Sequence, residues 1–173
     1  FSSGTLKEKW AILAGNTGFF KMDEVPIPEE NLVGRPGEGF KIAMFALDQG
    51  RYTVAAGATG LIRACRDASI EYAKERKAFG QSIGSFQHNK FKIAELVTSI
   101  EVAEAYVDDC IEAHAQGKLP AVDAAKAKWW SAQVQNDVLD ECVQLHGGYG
   151  YMNEYRVARA WRDARVTKIW AGS

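Results

Sequence analysis

Three stretches of the chain combine residue types that could do chemistry. "ERKAFGQSIGSFQ", residues 75–87, carries Arg76 and Lys77, then Phe79, a glycine, a polar loop and Gln87. A guanidinium at that place either completes a cationic helix end, where it interacts well with the helix dipole, or grips a diphosphate. In the second case Phe79 and Gln87 place the rest of the ligand. "QLHGGYGY", residues 144–151, pairs Gly147 with Gly148. Such a pair lets a backbone approach a ligand closely, or simply stops a helix. "LDQGR", residues 47–51, sets Asp48 and Arg51 three apart on one helix face, the spacing of an ion pair. His146 reads as a local hydrogen-bonding residue.

The elements that must position these residues are mostly helical. Before residue 35, "TGFFKMDEVPIPEENLVG" suits a strand leaving a sheet by way of two prolines. "RPGEGF" is a hinge, and a helical period starts at Gly39. The pattern predicts a first helix over about 40–77, weakest at Gly50, since an interior glycine costs roughly 1 kcal/mol against Ala. A second spans about 87–116, with Phe91, Ala94, Val97, Ile100, Ala103, Val107 and Cys110 on one stripe. Gly117 is its expected C-cap, and Pro120 opens a third helix running to about 145. A shorter helix covers about 154–165. Within these helices, "GATG" at 57–60 reads as close helix packing. Trp129 and Trp130 read as one buried and one interface ring, and Asp108 and Asp109 as solvated. The expected fold class is mainly α, an antiparallel helical bundle preceded by the last strands of a β domain. Residues 1–35 would close the β domain and residues 36–173 form the bundle.

Composition narrows the function classes. The 173 residues are 47 % hydrophobic and 25 % charged, an ordinary globular balance with a core of real size. Formal net charge is -1, so no global positive field draws the chain to nucleic acid or an anionic membrane. Cys65, Cys110 and Cys142 are an odd number within helical patterns, read as buried thiols in a reducing compartment. No stretch has the ~18 uncharged apolar residues of a membrane span, and "FSSGTLKEKW" contains no apolar core of a secretion signal. His88, His114 and His146 lack metal-ligand spacing, so no metal site is expected.

In their order and spacing these stretches resemble the C-terminal part of the acyl-CoA dehydrogenase family. The resemblance rests on "DEVPIPEENLVGRPGEGF", "YAKERKAFGQSIGSFQ", "CVQLHGGYGYMNEYRVARAWRDAR" and the terminal "IWAGS", and covers essentially the whole chain. "AYVDDC", "KWWSAQVQNDV" and "GYGYMNEY" are most similar to the long-chain branch. It implies a homotetrameric FAD flavoprotein of fatty acid β-oxidation, in a bacterial cytoplasm or the mitochondrial matrix. The implied reaction is α,β-dehydrogenation of an acyl-CoA thioester. A carboxylate removes the α-proton, the β-hydride passes to flavin N5, and an electron-transferring flavoprotein takes the electrons. Arg76, Phe79 and Gln87 match family residues reaching the FAD of a neighbouring subunit; Gln144, Gly147 and Gly148 match its second contact to that cofactor. Ser173 replaces the family's usual Thr and keeps the hydroxyl. Phe40, Met44, Leu47, Asp48 and Arg51 match positions along the acyl-CoA path. The family also carries an N-terminal domain and a further helix beyond "IWAGS", so the sequence reads as an excerpt of a longer enzyme whose last helix is missing here.

The departure lies at the base. Most family members have Glu where this chain has Ala171, and the long-chain and isovaleryl branches take it from the position of Gly50. Neither residue can accept a proton. Asp48 is the nearest alternative base. Otherwise the carboxylate comes from elsewhere in the enzyme, or the chemistry is reductive or decarboxylating. A catalytically silent protein that binds FAD and acyl-CoA also remains, as do a nucleic-acid-associated relative and an assembly module without ligand. The near-neutral charge argues against the nucleic-acid reading, and the Arg76–Phe79–Gln87 set against the ligand-free one.

Overall fold

The computed structural model describes residues 1–172, in two units that divide between Ala46 and Leu47. In the first unit, β1 (Ser2–Thr5) pairs antiparallel with β2 (Gly18–Lys21), Ser2 opposite Lys21 and Thr5 opposite Gly18. The connecting loop is tied by the Lys9 ammonium, which donates to the Ile12 and Gly15 carbonyls and to the Thr17 hydroxyl. Phe19 and Phe20 are exposed within this unit, and a lone two-stranded ribbon is marginal in water. Pro26 and Pro28 follow β2 outside any strand, as the two missing N–H donors require.

Helix α1 (Gly39–Glu75) runs without interruption through Gly50. The expected weak point does not break it. Ala55, Ala58, Ile62, Cys65, Ser69 and Ala73 recur at three- and four-residue steps and are all buried, and that stripe outweighs about 1 kcal/mol of glycine propensity. Helices α2 (Gln87–Ala115) and α3 (Ala121–His146) follow, and α4 (Arg156–Ala164) packs against α3. The turn between α2 and α3 is a Schellman cap. Gly117 has φ +67°, its N–H bonds the His114 carbonyl, and the Lys118 N–H bonds that of Ala113. Pro120 stands just ahead of α3, where its missing N–H costs nothing. The core joins all four helices through Ile62, Ile100, Leu139 and Val157. The result is the expected mainly α bundle with short strands before it.

Four local expectations need correction. Phe91 is 60 % exposed and Ala94 is exposed, whereas Leu96 is buried. Successive three-residue steps slip about 60° each around a helix, so positions 91, 94 and 97 rotate off the face that Ile100 occupies. Gly57 and Gly60 are not close-packing glycines, since a Cβ on either meets nothing within 4 Å. Ala58 and Thr59 between them are the buried residues. Trp129 and Trp130 are both exposed, their rings 5.8 Å apart. Finally, residues 77–82 form a hairpin of their own. Asp108 and Asp109 are exposed as expected, and all three cysteines are free and buried, with burial pushing the Cys65 thiol up to about 12. Among the described residues no helix is long and apolar enough to cross a membrane.

Candidate functional site

At the C-terminal end of α1 the chain turns sharply into β3 (Lys77–Ala78) and back through β4 (Gln81–Ser82). The two-residue connection is Phe79–Gly80, both at positive φ, +53° and +82°, the pattern of a tight I′ hairpin turn. Gly80 adopts it freely, whereas Phe79 is strained there by about 1–2 kcal/mol. The strained residue also holds its ring in the open, 95 % exposed. The 3-10 turn after the hairpin, Ile83–Ser85, lies close to α1: a Cβ on Gly84 would stand 3.0 Å from the Ala73 carbonyl oxygen.

Facing the hairpin is the end of α3. Gly147 caps that helix at φ +58° and ψ −137°, with its N–H on the Gln144 carbonyl, a backbone conformation few residues but glycine adopt. The segment Gly147–Tyr151 then makes a 3-10 turn. Gly148 has open space where a side chain would be. Gly150 has none, because a Cβ there would fall 2.3 Å from the Val143 carbonyl oxygen. The paired glycines attract attention in the sequence, yet packing demands the third.

Hairpin and helix end enclose an open cleft of about 750 Å³. Arg76, Phe79, Gln144, Gly147 and Gly148 all line it, although some 65 residues of chain separate the two groups. Gln87 begins α2 and is exposed; its neighbours Phe86 and His88 line the cleft, and Gln87 does not. The Arg76 guanidinium lies over the Tyr149 ring at 5.2 Å from its centroid, a cation–π contact. No carboxylate among the described residues pairs with it. The cleft's other cation, Lys92, is bound to Glu95 at 3.1 Å and Glu141 at 3.2 Å, and these hydrogen bonds hold its ammonium above the ordinary lysine range. Arg76 is therefore the positive charge left for an anionic ligand.

Aromatic rings form one wall of the cleft. His146 is buried, its Nδ1 2.8 Å from the Cys142 carbonyl oxygen and its ring stacked on Tyr72 at 4.2 Å. The Tyr72 hydroxyl donates to the His146 carbonyl at 3.3 Å, and Tyr155 meets both rings edge-on. Burial pushes the His146 imidazole below its ordinary range, so the ring serves as a neutral support, the local role expected of it. Nothing in the spacing of Arg76, Tyr149 and Tyr72 announces this group; the fold alone assembles it.

The other candidate residues lie elsewhere. Phe40 and Met44 are in the part of α1 that belongs to the first unit, Phe40 76 % exposed. In the second unit, Leu47 is exposed, and the Arg51 guanidinium donates to the Asp48 carboxylate at 2.9 Å. That is the ion pair their spacing implied. Near Arg51 comes the turn Trp170–Gly172, with Ala171 at φ +54°. Ser173 lies outside the described residues.

The sequence pattern of the family described as "Acyl-CoA dehydrogenase, C-terminal domain" matches residues 37–173. The chain belongs to the acyl-CoA dehydrogenase family. It is 41 % identical over its full length to the short-chain specific acyl-CoA dehydrogenase of Megasphaera elsdenii, covering 45 % of that protein. It is 38 % identical to the mitochondrial long-chain specific acyl-CoA dehydrogenase of Mus musculus, covering 40 % of it. The three-dimensional structure of butyryl-CoA dehydrogenase from Megasphaera elsdenii superposes with TM-score 0.95 at 41 % identity, over 99 % of this chain and 45 % of that one. The chain thus spans less than half the length of these relatives.

Proposed function

We propose that this chain is the C-terminal part of an FAD-dependent acyl-CoA dehydrogenase that forms a homotetramer and passes electrons to an electron-transferring flavoprotein. Residues 1–35 would end the preceding β domain and residues 36–173 form the helical domain. The compartment would be a bacterial cytoplasm or the mitochondrial matrix. One observation carries the reading: the two segments that resemble the family's cofactor contacts line a single cleft, around an Arg76 that no carboxylate among the described residues neutralises.

The residues present suit FAD. Arg76 offers a charge-assisted donor pair to a diphosphate, and the Tyr149 ring beneath limits where that guanidinium can swing. Phe79 stands exposed on a strained backbone, a cost that a flat aromatic ligand against its ring would offset. Gly147 and Gly148 leave main chain accessible from the cleft, and Gln144 adds an amide. Because the cofactor would belong to a neighbouring subunit, assembly becomes a condition of binding. Gln87 would complete the contact and Ser173 supply a hydroxyl. Phe40, Met44, Leu47, Asp48 and Arg51 would line the thioester path. When bound, the flavin supplies the hydride acceptor; the chain's own task is to hold it and to keep the acyl group in place.

What this chain does not supply is a proton acceptor at either family base position. Gly50 and Ala171 carry no carboxylate, and Asp48 is engaged by Arg51. That observation favours a second reading, a reductive, decarboxylating or purely binding member of the family. One relative, 37 % identical over 172 residues, is the Caffeyl-CoA reductase-Etf complex subunit CarC of Acetobacterium woodii.

The test is anaerobic mixing of the full-length flavoprotein with short, branched, long and dicarboxylic acyl-CoAs while flavin absorbance is followed. Rapid bleaching by one class establishes dehydrogenation and identifies the substrate. A protein that stays yellow with every saturated thioester, yet binds CoA esters, moves the assignment to the second reading.

A further inference from the structure

We infer that Lys128 is a positioning residue that sets the Trp170–Gly172 turn by holding the Gly172 carbonyl from inside the bundle. Lys128 sits in the middle of α3 and is 3 % exposed. Its ammonium donates to the Gly172 carbonyl oxygen, and among the described residues no carboxylate pairs with it. Lysine is seldom buried without a counter-charge, since removing an ammonium from water is costly. Burial, and then the nearby Arg51, weaken its hold on the proton. An aliphatic side chain would fill the space more cheaply. What it could not do is satisfy that carbonyl.

The turn needs such a hold. Ala171 and Gly172 are consecutive left-handed residues, at φ +54° and +94°; glycine adopts this freely, whereas alanine is strained. On another side of the turn lies the Arg51 guanidinium, 3.6 Å from where a Gly172 Cβ would stand. Arg51 itself is fixed by Asp48. The approach to the turn is tied to the same helix higher up. The Thr167 hydroxyl sits 2.7 Å from Gln135 Oε1 and from the Ala164 carbonyl oxygen, one of which takes its proton. Asn136 donates to the Ala164 carbonyl at 3.4 Å. Gln135 and Lys128 are seven residues apart, two turns of α3. The chain from Ala164 to Gly172 therefore descends α3 and is gripped at both ends, with Lys128 as the lower grip.

The consequence rests on the family reading above. This turn carries the position where most relatives present their base, so Lys128 would govern where that side chain points. The experiment compares hydrogen exchange in the full-length enzyme and in its Lys128→Met and Lys128→Arg variants. The expected result for Lys128→Met is at least tenfold faster exchange in peptides spanning 167–172, with α2 and the body of α3 within twofold of the parent. Lys128→Arg, which keeps a cationic donor, should fall between. Unchanged exchange at the turn overturns the inference, and so does an acceleration spread evenly through the bundle. If Lys128→Met does not fold, Lys128→Gln, with a shorter donor, carries the same comparison. Exchange is read without substrate or turnover, so a catalytically silent enzyme would overturn the function and leave this result standing.

Discussion

The cleft at the end of α1 and the turn at Trp170–Gly172 each gather two cations, and they use them in opposite ways. In the cleft, Lys92 is neutralised by Glu95 and Glu141, while Arg76 rests on an aromatic face and pairs with no acid among the described residues. At the turn, Arg51 is taken by Asp48 and Lys128 by a backbone carbonyl. One region keeps a charge for a ligand; the other commits its charges to the protein. The difference supports the proposal that the cofactor binds in the cleft. The turn is left with an alanine where the family resemblance implies a carboxylate base.

The largest effect should come from restoring that group. Ala171→Glu in the full-length enzyme places a carboxylate at the family position, and a positioned general base contributes about 10²–10⁴-fold. Flavin bleaching by a matching saturated acyl-CoA should accelerate within that range. No acceleration would mean that proton removal never limited the parent. Asp48→Asn serves as the counter-test: because its carboxylate already belongs to Arg51 and the pair would line the thioester path, the substitution should raise the acyl-CoA concentration needed for bleaching without lowering its limiting rate.

A smaller effect separates two glycines of the Gly147–Tyr151 turn. Gly150→Ala forces a methyl toward the Val143 carbonyl and should cost about 1–3 kcal/mol, read as a lowered midpoint in chemical denaturation. Gly148→Ala enters open space and should stay within about 0.5 kcal/mol. It should nonetheless weaken FAD retention, since its methyl occupies the cleft. Equal stability losses at the two positions would contradict this division of roles.

The smallest effect is a pH dependence at the aromatic wall of the cleft. Burial holds the folded-state pKa of His146 below its ordinary 6.5, so the unfolded chain takes up the proton first as pH falls. Stability should therefore be full above about pH 6.5 and decline below it, toward the depressed folded value. His146→Gln should flatten that part of the pH–stability profile; an unchanged slope would remove His146 from the account.

Much of the fold was legible because the signals are local. The glycine at 117 and the proline at 120 mark their helix ends through conformations that hardly depend on the rest of the molecule. What escaped was set by tertiary contact. Gly50 looked like a break, but the buried stripe from Ala55 to Ala73 holds the helix through it. The Phe79–Gly80 turn carries no Asn-Gly or Asp-Gly signal, so its hairpin was hidden in what read as a loop. The candidate site divides in the same way. Arg76, Phe79 and the paired glycines stand out by residue type, whereas Tyr149, Gly150 and Lys128 acquire their roles only when α3 and the residues after it fold onto α1 and one another.

Arg76 in the cleft is proposed as the cation reserved for the cofactor. The direct measurement is the FAD dissociation constant of the reconstituted full-length apoprotein, parent against Arg76→Ala, with Asp48→Asn as control. A charge-assisted hydrogen bond of about 1.5–3 kcal/mol predicts roughly 10- to 150-fold weaker FAD binding for Arg76→Ala and no change for Asp48→Asn. Equal affinity in parent and Arg76→Ala would contradict the claim.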